Sequence, residues 1–221
     1  MAMQLDHFMW GAPTLETGLR EAERLFSVRP AMGGSHPGLG TCNALLALGD
    51  VYLEVIAPDP AQSDPPQSRQ GSFARQLAEL ETCALITWAA GSRDLKLIAA
   101  KASDRGLTVR GPSATQRRTP DDQLLSWELL FLSDHGFPNL VPFFIDWLDT
   151  THPASSNPFG GEVVSFVLET PDASGLSDLL GDLEVDANIV SAREPRLTVS
   201  IQTANGLVVL ESTDQTRTLS F

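Results

Sequence analysis

Residues 35–57 read SHPGLGTCNALLALGDVYLEVIA. A glycine-rich turn carrying His36 leads into an apolar run from Cys42 to Leu48. The pair Gly49-Asp50 then turns the chain, and a second apolar run from Val51 to Ala57 is interrupted once, by Glu54. Two apolar runs joined by a Gly-Asp turn read as neighbouring strands. A carboxylate inside such a strand is either buried or aimed into a cavity, and a buried charge without a partner is strongly unfavourable. Glu54 therefore demands a partner, and its identity bears on function.

Working outward, residues 4–12 (QLDHFMWGA) form an apolar strand. In residues 13–26, Leu15, Leu19, Ala22, Leu25 and Phe26 recur at helical spacing behind a Thr14 cap with Thr17 nearby. Glycine, proline and serine punctuate residues 27–41 before the two runs above, so the order reads strand, helix, strand, strand, strand. A Pro/Ser/Gln-rich connection, residues 58–72, and a short helix at 73–80 follow. The order then recurs: strand 83–90, helix 92–106 capped by Ser92 and stopped by Gly106, and strands at 107–111, 123–132 and 140–148. It recurs again with strand 162–170, helix 172–183 and strands at 186–192, 196–204 and 206–212.

Internal repetition of one supersecondary unit constrains the whole architecture. The expected fold is α+β, with repeated βαβββ units, two of which (about 3–60 and 82–150, within a domain 1–155) pair into a curved mixed sheet around a cup. A third βαβββ-like unit occupies 161–221. Each unit has an apolar face that needs cover. The odd third unit has no mate by this count, so a homodimer is expected.

The net charge of -13 opposes nucleic acid, whose binding rests on concentrated Lys and Arg. No apolar run approaches the length of a membrane span. The N-terminus carries neither a basic region nor a continuous apolar stretch, so the expected location is cytoplasmic. Two cysteines without CxxC spacing indicate neither a disulfide framework nor a cysteine zinc site. Arg117 and Arg118, in TQRRTPDD, read either as a solvated loop or as a grip on a small anion.

His7 on the first strand and Glu54 on the last strand of one unit can meet across a cup. Such a pair serves as metal ligands, as an acid/base couple, or as a buried hydrogen-bonded pair. Superposing the units by their helix starts sets Leu85 against His7, and laying FFIDWL over VYLEVI sets Asp146 against Glu54; in the third unit Ser165 and Glu211 take those places. Pairing the first two units collects His7, Glu54 and Asp146, with the fourth corner apolar at Leu85. Strand alternation then puts Tyr52, with Glu54, and Phe144, with Asp146, on the cup wall. His152 either bends back over the cup or lies on a loop surface, and His135 belongs to a turn.

His7 in LDHFMW and Glu54 in YLEVIA, with the run GGSHPGLGTCNALLALGDVYLEVIAPDP and the later PFFIDW and THP, resemble the vicinal-oxygen-chelate superfamily in its glyoxalase-like domain branch, over about residues 3–155. The resemblance implies paired βαβββ units around a cup and a divalent metal (Mg, Mn, Fe, Zn or Ni) held by His7, Glu54 and Asp146. It also implies that His36 and Asn43 contact the ligand. Leu85 departs from the pattern, standing where a further ligand is expected. The implied function is a metal-dependent enzyme acting on a small carbonyl or vicinal-oxygen substrate, of isomerase or lyase type rather than dioxygenase. There the metal acts as Lewis acid and Glu54 or His36 moves a proton. The alternative is a non-catalytic protein that sequesters a hydrophobic small molecule.

Overall fold

Alternation along each strand sends one set of side chains to each side of a sheet, and here the two sets belong to different tasks. The computed structural model describes residues 3–62, 69–118 and 124–219. The first unit comprises β1 (Gln4–Gly11), α1 (Leu15–Phe26), β2 (Ala31–His36), β3 (Thr41–Leu48) and β4 (Val51–Pro58). After α2 (Arg69–Ala78) the second unit comprises β5 (Ala84–Gly91), α3 (Leu95–Asp104), β6 (Thr108–Arg118), β7 (Leu124–Ser133) and β8 (Phe143–Asp146). A third set follows: β9 (Glu162–Thr170), α4 (Ala173–Asp182), β10 (Ile189–Ser191), β11 (Arg196–Thr203) and β12 (Gly206–Glu211), closed by the short α5 (Asp214–Arg217). Parts of the expected connection and of the 123–132 strand fall on residues 63–68 and 119–123, outside the described residues.

The first two units make one eight-stranded sheet of order β2-β3-β4-β1-β5-β8-β7-β6. Within each, the first strand pairs in parallel with the last, and the units join antiparallel through β1 and β5. The sheet curls so that its outer strands approach. Arg117 of β6 donates from Nη1 to the Gly33 carbonyl of β2. At Gly34 (φ 138°) a Cβ would sit 2.9 Å from the Arg118 carbonyl oxygen, so only glycine permits this approach.

The convex side of the sheet carries Phe8, Trp10, Leu46, Leu53, Val55, Trp88 and Phe144. Against it pack Leu19, Ala22 and Phe26 of α1 and Leu95, Ile98 and Ala102 of α3. Thr14 caps α1 as expected, accepting from the Thr17 amide at 3.1 Å. The α3 cap is Asp94, which accepts from the Leu97 amide at 3.0 Å, while Ser92 accepts from Asp94 N one step earlier. The serine thus supports the cap and does not form it.

The third set keeps the expected element order but pairs differently, as a four-stranded sheet β10-β9-β11-β12 with its first strand inside. Leu168, Val199, Ile201, Val208 and Leu210 join the convex core of the larger sheet. Phe166 meets Phe8 and Trp88 edge to face at 5.0 and 5.1 Å. The apolar face that prompted the expectation of a homodimer is therefore covered within the chain, and that ground for a second copy falls away. Lys101 to Glu184 at 2.5 Å and Arg105 to Asp182 at 2.5 Å link α3 to the α4 end at the surface. Among the described residues no helix is long and apolar enough to cross a membrane.

Because Phe8 lies where the large sheet, Trp88 and Phe166 meet, Phe8→Ala should cost about 3–5 kcal/mol. Urea unfolding followed by Trp fluorescence will measure it, and a loss below about 1 kcal/mol would show that the sheets are not packed through this ring.

Candidate functional site

The concave side of the large sheet encloses a cavity of about 240 Å³. Its walls are mostly apolar, with Met9, Ile56, Phe73, Trp127, Phe143 and Ile145 among them, and its polar groups come from β1 to β4 around Glu54 and, across the cup, from β6 with Arg110, Ser113, Thr115 and Arg117. Register explains the grouping. His7 pairs with Tyr52 and Met9 with Glu54 across the parallel β1/β4 ladder, and Asn43 lies on the neighbouring β3. These side chains alternate with the convex-core residues Phe8, Leu53 and Ala44.

Glu54 is held from three sides. Asn43 Nδ2 donates to Oε1 at 2.7 Å, His36 Nε2 stands 3.9 Å from Oε1, and His7 Nε2 stands 3.7 Å from Oε2. Oε2 accepts no hydrogen bond from the described residues and faces the cavity. Gly33 leaves the room this amide needs, because a Cβ there would collide with its Oδ1. That Oδ1 is the one buried side-chain polar atom among the described residues without a hydrogen bond.

His7 is oriented from behind. Its Nδ1 lies 2.7 Å from Asp6 Oδ1, Tyr52 stacks on its ring at 4.4 Å and 17°, and Phe143 meets it edge-on at 5.3 Å. Asp6 also accepts from Trp147 Nε1 at 3.0 Å and lies 3.3 Å from His152 Nε2. Burial acts to raise the Asp6 pKa, but the hydrogen bonds from His152 and His7 outweigh it and hold the carboxyl well below its usual range. An ionised Asp6 can only accept, so His7 carries its proton on Nδ1 and turns Nε2 toward Glu54.

His36 is held by Thr41 Oγ1 at 2.9 Å from its Nδ1. Burial pushes its pKa down, against the pull of Glu54 and together with Arg117, so its imidazole is neutral near pH 7. Burial likewise raises the Tyr52 phenol well above its usual value, with Asp6 and Glu54 adding to the effect, so the hydroxyl stays protonated. Arg117 is buried in the cavity wall beside these groups.

The structure brings His7, Glu54, His36, Asn43, Tyr52 and Arg117 together. Others fall elsewhere. Asp146 pairs with Glu128 on the β7/β8 ladder and accepts from the Leu148 amide at 2.8 Å, away from the cup, and Phe144 belongs to the convex core. Phe143 and Ile145 take the cup positions instead. Leu85 also lies in the convex core, and the residue opposite His7 is Ala89. Arg118 is exposed beside the buried Arg117. His152 reaches Asp6 rather than the cup. His135 accepts from the Phe137 amide at 3.1 Å in its turn, and Glu211 is exposed on β12 near Arg196. Sequence reasoning missed Asp6, whose place beside His7 in LDH was its signal.

A divalent metal, as the resemblance implied, does not fit this donor set. Asp146 is absent from the cup and Ala89 offers no ligand. Asn43 occupies one oxygen of Glu54, and Arg117 already places a positive charge in the cavity. Among the described residues no three His, Cys, Asp or Glu side chains converge as metal ligands.

Two units of the same strand order, joined edge to edge around a cup, define a protein of the vicinal-oxygen-chelate class. More narrowly, the chain belongs to the glyoxalase-like domain family, whose model matches residues 5–183. A crystal structure of a hypothetical protein from Staphylococcus aureus superposes with a TM-score of 0.66 at 16% identity, covering 96% of this chain and 87% of that one. Methylmalonyl-CoA epimerase in complex with methylmalonyl-CoA is similar at a TM-score of 0.48 and 16% identity, covering 69% of this chain and 100% of that one. For methylmalonyl-CoA epimerase from Mycobacterium tuberculosis the values are 0.47 and 14%, over 65% and 87% of the two chains. Comparison with curated proteins finds no match.

The His36 environment has a measurable sign. Its folded pKa lies below the ordinary 6.5 of the unfolded chain, so below about pH 6.5 the unfolded state binds a proton that the folded state resists, and stability falls with pH there. Urea midpoints between pH 7 and 5 should decline less steeply in His36→Gln than in the natural protein; parallel slopes would show that His36 does not titrate in this way.

Proposed function

We propose that the cup is the active site of an enzyme that moves a proton at a carbon next to the carbonyl of a small, largely apolar substrate, as isomerases and lyases do, with Glu54 as the base. The carrying observation is the state of the Glu54 carboxylate: Oε1 is fixed by Asn43 at 2.7 Å while Oε2 faces an apolar cavity without a hydrogen bond from the described residues. A carboxylate so placed is poorly solvated and oriented, which suits general-base work.

The flanking imidazoles give the proton somewhere to go. His7, with Nδ1 committed to ionised Asp6, presents Nε2 to Glu54, and the neutral His36 presents its own Nε2 on the other side. Glu54, once protonated in that step, would complete an isomerisation by returning the proton to a neighbouring atom of the enolate. The protonated Tyr52 phenol is a donor for negative charge developing on the carbonyl oxygen. This mechanism routes no step through a metal and differs in that respect from the metal-dependent reading of the sequence.

Proton exchange at carbon in D2O, followed by NMR over a panel of α-substituted ketones and thioesters, tests the reading. Exchange should fall by about 10²–10⁴-fold in Glu54→Gln. Equal exchange in the variant would dismiss Glu54 as the base, and exchange that stops with a chelator and returns with added metal would dismiss the metal-free route. Saturable binding without exchange would leave a sequestering protein.

A further inference from the structure

The chain is strongly acidic, with a net -13, yet among the described residues the cavity wall holds the guanidiniums of Arg110 and Arg117 beside the carboxyl of Glu54. Arg110 lies 4.8 Å over the Phe131 ring, committed to the wall.

Arg117 is differently placed. It is 6% exposed, and one of its nitrogens, Nη1, donates to the Gly33 carbonyl. Nε and Nη2 have no acceptor among the described residues, and neither is sealed off, since the one sealed unsatisfied side-chain polar atom is Asn43 Oδ1. Nε and Nη2 together form the edge with which a guanidinium takes both oxygens of a carboxylate. A buried arginine with one nitrogen anchored and two donors left to an apolar cavity is a fixed anion receptor.

We infer that Arg117 is the anchor for a carboxylate on the substrate, so that the cup takes small, largely apolar carboxylic acids, carboxylate toward β6 and reactive carbon toward Glu54. The inference rests on reading this cavity as the substrate site. Arg118, pointing outward from the same strand, has no part in this.

Phenylacetate and phenylacetamide, isosteric and differing in charge, are suitable probes, titrated by calorimetry at pH 7.5. The acid should bind at least tenfold more tightly than the amide to the natural protein. That preference should vanish in Arg117→Met, persist in part in Arg117→Lys and be unchanged in Arg118→Ala. Glu54→Gln should bind the acid as tightly or more tightly. Equal binding of acid and amide, a preference surviving Arg117→Met, or no binding of either probe would overturn the inference. The acid/amide comparison needs only the natural protein, so it stands even if Arg117→Met fails to fold. It is also independent of exchange: a preference for the acid without proton exchange would retain Arg117 and dismiss the catalytic proposal, and exchange without the preference would do the reverse.

Discussion

A carboxyl side chain in the middle of a central strand is the constraint from which the rest of the cup follows. Glu54 shares its sheet with side chains that are almost all apolar on the convex side, and only the concave side can compensate it. Compensation comes in layers. Asn43 donates directly, and the imidazole of His36, held at Nδ1 by Thr41, stands 3.9 Å away, while His7, its Nδ1 proton committed to Asp6, turns an acceptor nitrogen to the same carboxyl. Removing one partner of a buried charged group costs more than the bond is worth, because the remaining group stays desolvated. The cluster is therefore held as a unit, and what it leaves open, one oxygen of Glu54, is open to the cavity.

The architecture was legible because the chain states it more than once. A strand-helix-strands unit repeated along the sequence fixes the sheet far better than any single element, and the strand order of the first two units agrees. The third unit was legible as a list of elements but not as a topology, since β9 lies inside its sheet while β1 and β5 lie at the junction of theirs. Local pattern reports which residues are extended; which strands become neighbours is decided by packing against Phe8 and Trp88. Strand β2 was hidden for a plainer reason, as Gly33 and Gly34 give an edge strand no side-chain alternation to read.

The site divides along a similar line. His7, Tyr52 and Glu54 were legible because β4 is regular and its alternation runs unbroken. Leu85 was placed on the wrong side of the sheet because superposing units by their helix starts ignores single-residue offsets, and Asp146 and Phe144 because laying FFIDWL over VYLEVI sets β8 one residue out of frame, with Phe143 and Ile145 in the cup instead. The β1/β5 ladder has irregularities between Leu5 and His7 and between Met9 and Trp10. With a period of two, an offset of one residue exchanges the faces of a whole strand. Arg117 and Arg118 show the same effect: adjacent and chemically identical, they are divided into cup and solvent by alternation on a strand whose end was read as a loop.

The hydrogen bond from Arg117 to Gly33 bears on more than the cavity. Strands β2 and β6 are the two ends of the large sheet, and a sheet end exposes backbone groups that can template pairing with another chain. Here a guanidinium from one end occupies a carbonyl on the other, and the glycines of β2 let the two rims come close enough for it to do so. One carbonyl of the β2 edge is thus occupied by a side chain that lines the cavity. A substitution at Arg117 therefore also frees a backbone carbonyl at the end of the sheet.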